Sequence, residues 1–258
     1  MPTLLLRGET IGTIQGVLFD KDGTLSNSER HLSNLAKLRI KETTKLFIDQ
    51  GASVNVVSKI QELLPIAYGL TSQGLSPNGT IAVGSRQNNI ISTATIFCLV
   101  GETWPKALEL SKKIFEIVDK LDGGVANSAE QRMLLPGVLT TLQNLRDANI
   151  TCAVISNDSR PGIQSFLSTN NLRDFFSNFW SADHHPPKPD PAAVQKLCKN
   201  IQIQPSDCAL IGDADSDLQM ARQSGIGITL GYTGGWSKKP QLTQHQHLIH
   251  NWDELTIQ

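Results

Sequence analysis

The sequence predicts an α/β fold in which a sheet of buried strands is interrupted, near its start, by a long helical insertion. Three observations predict it. Short apolar runs at 14–19, 151–155 and 209–212 are each stopped by polar, turn-forming residues, the pattern of buried strands. After residue 134, segments with apolar residues at helical spacing alternate with those runs, as helices and strands do in a layered α/β domain. Between Ser26 and about Leu134 the strand-and-turn pattern is missing, and the apolar spacing turns helical over 29–50 and 105–121.

In chain order, residues 3–15 read as a small hairpin turning at Gly8-Glu9-Thr10, ahead of the first buried strand, which delivers Asp20. In the insertion, 29–50 reads as a helix, and Lys106, Leu108, Leu110, Ile114, Ile117, Val118 and Leu121 approximate one helical face, apolar but for the lysine. Residues 69–84, rich in Gly, Ser, Pro and Asn, read as a loop between helices. Gly123-Gly124 suits a hinge or an ordinary helix C-cap. Pro136-Gly137 opens a helix with Val138, Leu139, Leu142 and Leu145 at helical spacing. Further helices are expected over 191–200 and 215–224. Gly231-Tyr232-Thr233-Gly234-Gly235 lacks the spacing of a dinucleotide fingerprint and reads as a mobile loop. The stretch with His245, His247 and His250 reads as a polar C-terminal strand, and neither it nor His184-His185 has the carboxylate or cysteine partners of a zinc site.

The chemistry sits where these strands end. Asp20 and Asp22 are two residues apart on a glycine turn, and two carboxylates so close repel unless a cation lies between them or one is protonated. A hard divalent ion such as Mg2+ resolves that conflict and also neutralises a phosphate. Gly23 lets main-chain N–H groups approach an anion, and Thr24 offers a hydroxyl to the same place. An EF-hand register fails, since the glycine and glutamate positions counted from Asp20 hold Leu25 and His31, and those counted from Asp213 hold Leu218 and Ser224. The second strand end carries Ser156-Asn157-Asp158; Ser156 could also cap the helix that follows. Lys188 stands in the proline-stiffened Pro186-Pro187-Lys188-Pro189, and Asp213, Asp215 and Asp217 follow the last buried run. The acidic run also suits the first turn of a helix.

In these residues the sequence resembles the haloacid dehalogenase superfamily of phosphohydrolases, in its phosphoglycolate phosphatase-like form with a helical cap. The resemblance lies in Asp20-Lys21-Asp22-Gly23-Thr24, Ser156, Lys188 and Gly212-Asp213-Ala214-Asp215-Ser216-Asp217, in that order along the chain. It implies a doubly wound, Rossmann-like parallel sheet from 1–25 and 135–258, and an inserted all-helical cap domain from 26–134 with hinges near 26–30 and 122–131. It implies Asp20 as the nucleophile of an aspartyl-phosphate and Asp22 as general acid/base. Mg2+ would be held by the carboxylates of Asp20 and Asp213 and the main-chain carbonyl of Asp22. Thr24, Ser156, Asn157 and Lys188 would bind the phosphoryl group, and Asp217 would orient Lys188 or a metal-bound water. The implied substrate is a small phosphorylated metabolite. A phosphomutase and a non-catalytic metabolite-binding relative are the alternatives. Dehalogenation is disfavoured by the presence of Asp22, and the cap lysines Lys37, Lys41 and Lys45 need no Schiff-base role to explain them.

Composition bounds the rest. At 258 residues, 39% hydrophobic and 18% charged, the chain can bury a sizeable core as one large domain or two unequal ones. A net charge of -1 gives no general pull toward nucleic acid or an anionic membrane. Cys98, Cys152, Cys198 and Cys208 are too dispersed to suggest disulfides or zinc. The only apolar run near the start is Leu4-Leu5-Leu6, and no later run approaches a membrane span, so a soluble cytoplasmic protein is expected. Arg30, Arg86 and Trp104 in the insertion are candidate substrate contacts, with solvated or core roles as the alternative.

Overall fold

The structure, a computed structural model, describes residues 1–125 and 133–258. The chain divides into two compact units, Met1–Ser28 with Arg132–Gln258, and Glu29–Gln131. The first begins with β1 (Thr3–Leu6) and β2 (Glu9–Thr13), an antiparallel hairpin. Its turn falls on Arg7 and Gly8, at φ 51° and 85°, rather than on Gly8-Glu9-Thr10. Next comes β3 (Gly16–Phe19), buried along its whole length.

The second unit contains α1 (Glu29–Asp49), α2 (Val54–Tyr68), the short pair β4 (Leu70–Thr71) and β5 (Gly74–Leu75), α3 (Thr80–Val83), α4 (Arg86–Leu99) and α5 (Trp104–Val125). Residues 69–84 are therefore not plain loop. Gly69, left-handed at φ 82°, closes α2 by donating its N–H to Ile66 and Pro65 carbonyls, and the chain then makes a tight two-stranded turn. The buried face of α5 runs Ala107, Leu110, Ile114, Phe115 and Val118. That stripe is rotated from the expected one: Phe115 joins it, and Leu121 is 45% exposed. Its interior also holds aromatic and polar contacts. Phe47 and Phe97 meet with ring centroids 5.0 Å apart, the Arg39 guanidinium stacks 3.9 Å from the Phe115 centroid, and Tyr68 and Thr93 share a 2.6 Å hydrogen bond. Arg86 pairs with Asp119 at 2.6 Å, both side chains 46% exposed, which makes it a solvated ion pair of little energetic weight. Arg30 and Trp104 are exposed. Gly123-Gly124 lie within the last turn of α5, and the remainder of the expected second hinge, 126–131, lies outside the described residues.

The first unit resumes with α6 (Val138–Asp147), β6 (Thr151–Ile155), α7 (Arg160–Thr169), β7 (Phe176–Trp180), α8 (Pro191–Asn200), β8 (Cys208–Gly212), α9 (Asp215–Ser224), β9 (Ile228–Tyr232), β10 (His247–Ile249) and β11 (Leu255–Ile257). Six strands form one sheet in the order β10-β9-β8-β3-β6-β7, parallel at every pairing, and β11-β1-β2 form a separate antiparallel sheet. Both faces of the large sheet are covered. Val17 and Phe19 point into one apolar cluster with Val154, Ile211 and Trp252, while Leu18 points into another with Ala153, Leu210 and Leu197. Strand alternation with apolar residues on both sides is the mark of a doubly wound sheet. In α6 the buried stripe includes Val138, Thr141, Leu142 and Leu145, leaving Leu139 44% exposed. Among the described residues, no helix is long and apolar enough to cross a membrane.

Candidate active site

Strand register brings the reactive segments together. Phe19 pairs with Val154 on one side and Ile211 on the other, so β3 ends within one residue of its two neighbours, and the chain then delivers Asp20, Ser156 and Asp213 at one sheet edge. Ligands of open α/β sheets bind at that edge, where the strand order reverses direction. The Asp20 N–H donates to the Ile211 carbonyl at 2.9 Å, which holds the first carboxylate against β8. Lys188, from the loop between β7 and α8, reaches the same edge. Its Nζ lies 2.6 Å from Asp20 Oδ1, 2.7 Å from Asp217 Oδ1 and 3.3 Å from the Ile155 carbonyl.

The electrostatics are those of an anion site in want of cations. One carboxylate oxygen from each of Asp20, Asp213 and Asp217 lies within 4.8 Å of the others, and all three residues are buried. The Asp20 pKa is raised from 3.8 to about 6: burial lifts it most, the Lys188 ammonium opposes that rise, and the Asp217 and Asp22 carboxylates add to it. Asp213 is pushed well above the ordinary range, first by burial and then by Asp20 and Asp217. Burial disfavours the Lys188 charge, but Asp20 and Asp217 outweigh it and its pKa is raised. Three carboxylates against one ammonium leave negative charge uncompensated, and the donors are all hard oxygens. A hard divalent cation fits that set.

Asp213 is gripped on both oxygens. Thr24 donates to Oδ1 at 3.0 Å, and the Trp236 indole N–H donates to Oδ2 at 2.5 Å. Thr24, fully buried, thus faces a carboxylate where sequence reasoning had it facing phosphate. Trp236 was missed altogether. The segment read as a mobile loop continues as strand through Tyr232, and Thr233, Gly235 and Trp236 are buried as well. What allows the approach is glycine on both sides: Gly23 sits at φ 77°, and a Cβ on Gly235 would land on the Gly23 carbonyl. Gly235→Ala is therefore expected to destabilise the protein by about 1–3 kcal/mol, read as a lower denaturant midpoint at unchanged slope. An unaltered midpoint would show that the two loops do not meet.

The remaining candidates fall around this centre. Asp22 Oδ1 accepts from Lys21 Nζ at 2.7 Å and from Ser28 Oγ at 2.5 Å. Lys21 also lies 3.2 Å from Asp158 Oδ2; burial opposes its charge, but Asp22 and Asp158 outweigh burial and raise its pKa. Ser156 is buried, and its Oγ accepts the Asp158 N–H at 3.1 Å. Capping of α7 falls to Ser159 instead, through Gly162 N at 3.2 Å. Asn157 follows on the loop, half-buried. Asp217 packs in the first turn of α9 against Lys188, whereas Asp215 turns away to accept from Thr243 and Gln244, anchoring the C-terminal segment. His184 accepts from Ser181 N at 3.0 Å and stacks on Trp180 at 4.6 Å, a satisfied structural histidine.

This sheet edge, with its acidic cluster and buried lysine, defines an α/β protein whose candidate active site lies at the carboxyl ends of a parallel sheet. The chain belongs to the haloacid dehalogenase-like hydrolases, whose family model matches residues 14–225. Curated relatives include a phosphoglycolate phosphatase of Vibrio vulnificus (strain CMCP6), 32% identical over 106 residues, which are 40% of this chain and 46% of that one. Another, from Nitrosospira multiformis, is 25% identical over 226 residues and covers 86% of both chains. The match thus spans about half the length of the Vibrio relative. Among solved structures, a predicted phosphoglycolate phosphatase from Haemophilus somnus superposes with a TM-score of 0.67 at 18% identity, covering 94% of this chain and 96% of that one. A likeness at that identity concerns the fold.

Proposed function

We propose that the protein is a Mg2+-dependent phosphatase that hydrolyses a small phosphorylated metabolite through an aspartyl-phosphate on Asp20. The observation that carries this is Lys188 placed 2.6 Å from Asp20, in a buried cluster where Asp213 and Asp217 share the same few ångströms. The Asp20 carboxylate attacks phosphorus, the ester P–O bond breaks, and Asp22 gives its proton to the leaving oxygen. Asp22 then takes a proton from water, the water oxygen attacks phosphorus, and the bond to Asp20 breaks to release inorganic phosphate. Lys188 holds a phosphoryl oxygen beside Asp20, with Ser156 and Asn157 on the adjoining loop. Mg2+ is assigned to the carboxylates of Asp20 and Asp213 and the Asp22 carbonyl, and when bound it neutralises charge on the transferring group. The helical unit is assigned the role of cap.

The test is phosphate release from a panel of phosphomonoesters, with 2-phosphoglycolate first because the relatives' names point to it. Sugar phosphates and nucleotides complete the panel. Release with Mg2+ and none with EDTA supports the proposal. An isomerised sugar phosphate would mark a mutase, and an inert protein would mark a binding relative.

Metal binding also predicts a pH dependence. Asp20 titrates higher in the folded state, at about 6 against 3.8, and Asp213 shifts the same way, so without metal these two carboxyls hold more protons in the folded state than in the unfolded chain. The stability that Asp20 contributes in this way is complete below about pH 4 and is lost as pH rises through about 6, and Asp213 acts in the same direction. Mg2+ is accordingly expected to raise the melting midpoint more at pH 7.5 than at pH 5, by differential scanning fluorimetry. A shift of equal size at both would contradict the assignment.

A further inference from the structure

We propose that Lys21 is a positioning residue for Asp22, holding that carboxylate, together with Ser28, in one orientation. The proposal rests on Asp22 being the acid/base. Lys21 is 7% exposed, an unusual place for a lysine, which ordinarily keeps its ammonium in water. Its ammonium is spent on two carboxylates: Asp22 Oδ1 at 2.7 Å and Asp158 Oδ2 at 3.2 Å. The Phe166 ring centroid lies 5.5 Å from the same ammonium. An ion pair between a buried ammonium and half-buried carboxylates adds little to a fold, because the cost of taking the lysine out of water offsets much of the attraction. The arrangement is better explained by what it holds.

Two donors converge on one oxygen. Lys21 Nζ and Ser28 Oγ both donate to Asp22 Oδ1, and Ser28 Oγ lies 2.9 Å from Ser26 Oγ, so the second donor is itself steadied. A carboxylate gripped twice on the same oxygen has its plane fixed. The other end of the tether is as firm: Asp158 Oδ1 accepts the Ser159 N–H at 2.7 Å, and the Asp158 N–H donates to Ser156 Oγ. Lys21 therefore references the acid/base, just past β3, to the Ser156 loop just past β6. A proton donor misplaced by about 1 Å can lose on the order of a hundredfold in rate, so such a reference has a kinetic consequence.

The test uses kcat/KM, which covers the steps up to departure of the leaving group. Two Mg2+-loaded substrates are compared: p-nitrophenyl phosphate, whose leaving phenolate needs little protonation, and an alkyl phosphate that the wild type turns over, whose alkoxide needs a proton. Lys21→Met is expected to lose roughly 10- to 100-fold on the alkyl phosphate and less than about 5-fold on the aryl one, within the range of general acid catalysis. Lys21→Met combined with Asp22→Asn is expected to be no slower on the alkyl phosphate than Asp22→Asn alone. Equal losses on both substrates, or additive losses in the double variant, overturn the proposal, since a structural role or a direct substrate contact would give them. Should Asp22→Asn itself fail to discriminate the substrates, the acid assignment falls and takes the proposal with it. If Lys21→Met does not fold, Ser28→Ala removes the second donor to the same oxygen and is expected to show the same discrimination at smaller size; equal losses there overturn the proposal too.

Discussion

Asp20→Asn is expected to abolish turnover, by on the order of 10⁴-fold or more, while leaving a folded protein. An amide keeps the shape of the side chain but gives up the charge, and with it the nucleophile. The fold should not suffer. Asp20 sits 7% exposed among Asp213 and Asp217, so neutralising it relieves a buried repulsion even as it weakens the 2.6 Å contact with Lys188. The thermal midpoint of the metal-free variant at pH 7.5 is expected to match or exceed that of the parent. Covalent labelling is the sharper measurement: parent protein quenched with acid during turnover should carry one phosphoryl group on the peptide containing Asp20, and the variant none. Full Mg2+-dependent hydrolysis by the variant would refute the nucleophile.

Lys188→Met should fail in both respects at once. Methionine matches the lysine stem in length but leaves Asp20 and Asp217 buried without the ammonium now 2.6 and 2.7 Å away. Removing one partner of a buried pair typically costs about 3–5 kcal/mol, because the other charge is stranded. Loss of a preorganised cation beside the phosphoryl group adds a fall in kcat of roughly 10²–10³-fold. Urea unfolding and phosphate release, run on the same preparation, read the two effects separately. The stability loss should shrink at pH 5, where the stranded Asp20, raised to about 6 even beside Lys188, takes up a proton. Lys188→Arg is expected to restore little, since a planar guanidinium is not a compact ammonium and Lys188 is 7% exposed, with no room to turn. A Lys188→Met protein as stable and as active as the parent would dissolve the central ion cluster as an explanation of the site.

Much of the site was legible before any coordinates. Asp20, Ser156 and Asp213 each follow a short apolar run, and such runs reveal themselves locally through β-rich composition and the turn residues that stop them. Other strands were not legible. Phe176–Trp180 reads FSNFW, with polar residues inside it, and Ile228–Tyr232 carries a glycine, so neither resembles a buried run until neighbours cover it. Val54–Tyr68 was missed for a related reason: Pro65 interrupts its pattern, though the Ser53 cap and Gly69 stop could have marked its ends.

The sequence by itself determined which reactive groups the chain possesses and in what order successive strand ends deliver them, because periodicity and turn chemistry are properties of neighbouring residues. The tertiary structure decided their partners. That Thr24 serves Asp213, that Trp236 closes the other side of that carboxylate, and that Lys21 is shared between Asp22 and Asp158 are contacts across 189, 23 and, for Asp158, a whole intervening unit of chain. No local spacing encodes them. They follow from a parallel register that brings β3, β6 and β8 to one edge, and from glycines at 23 and 235 that let two loops touch.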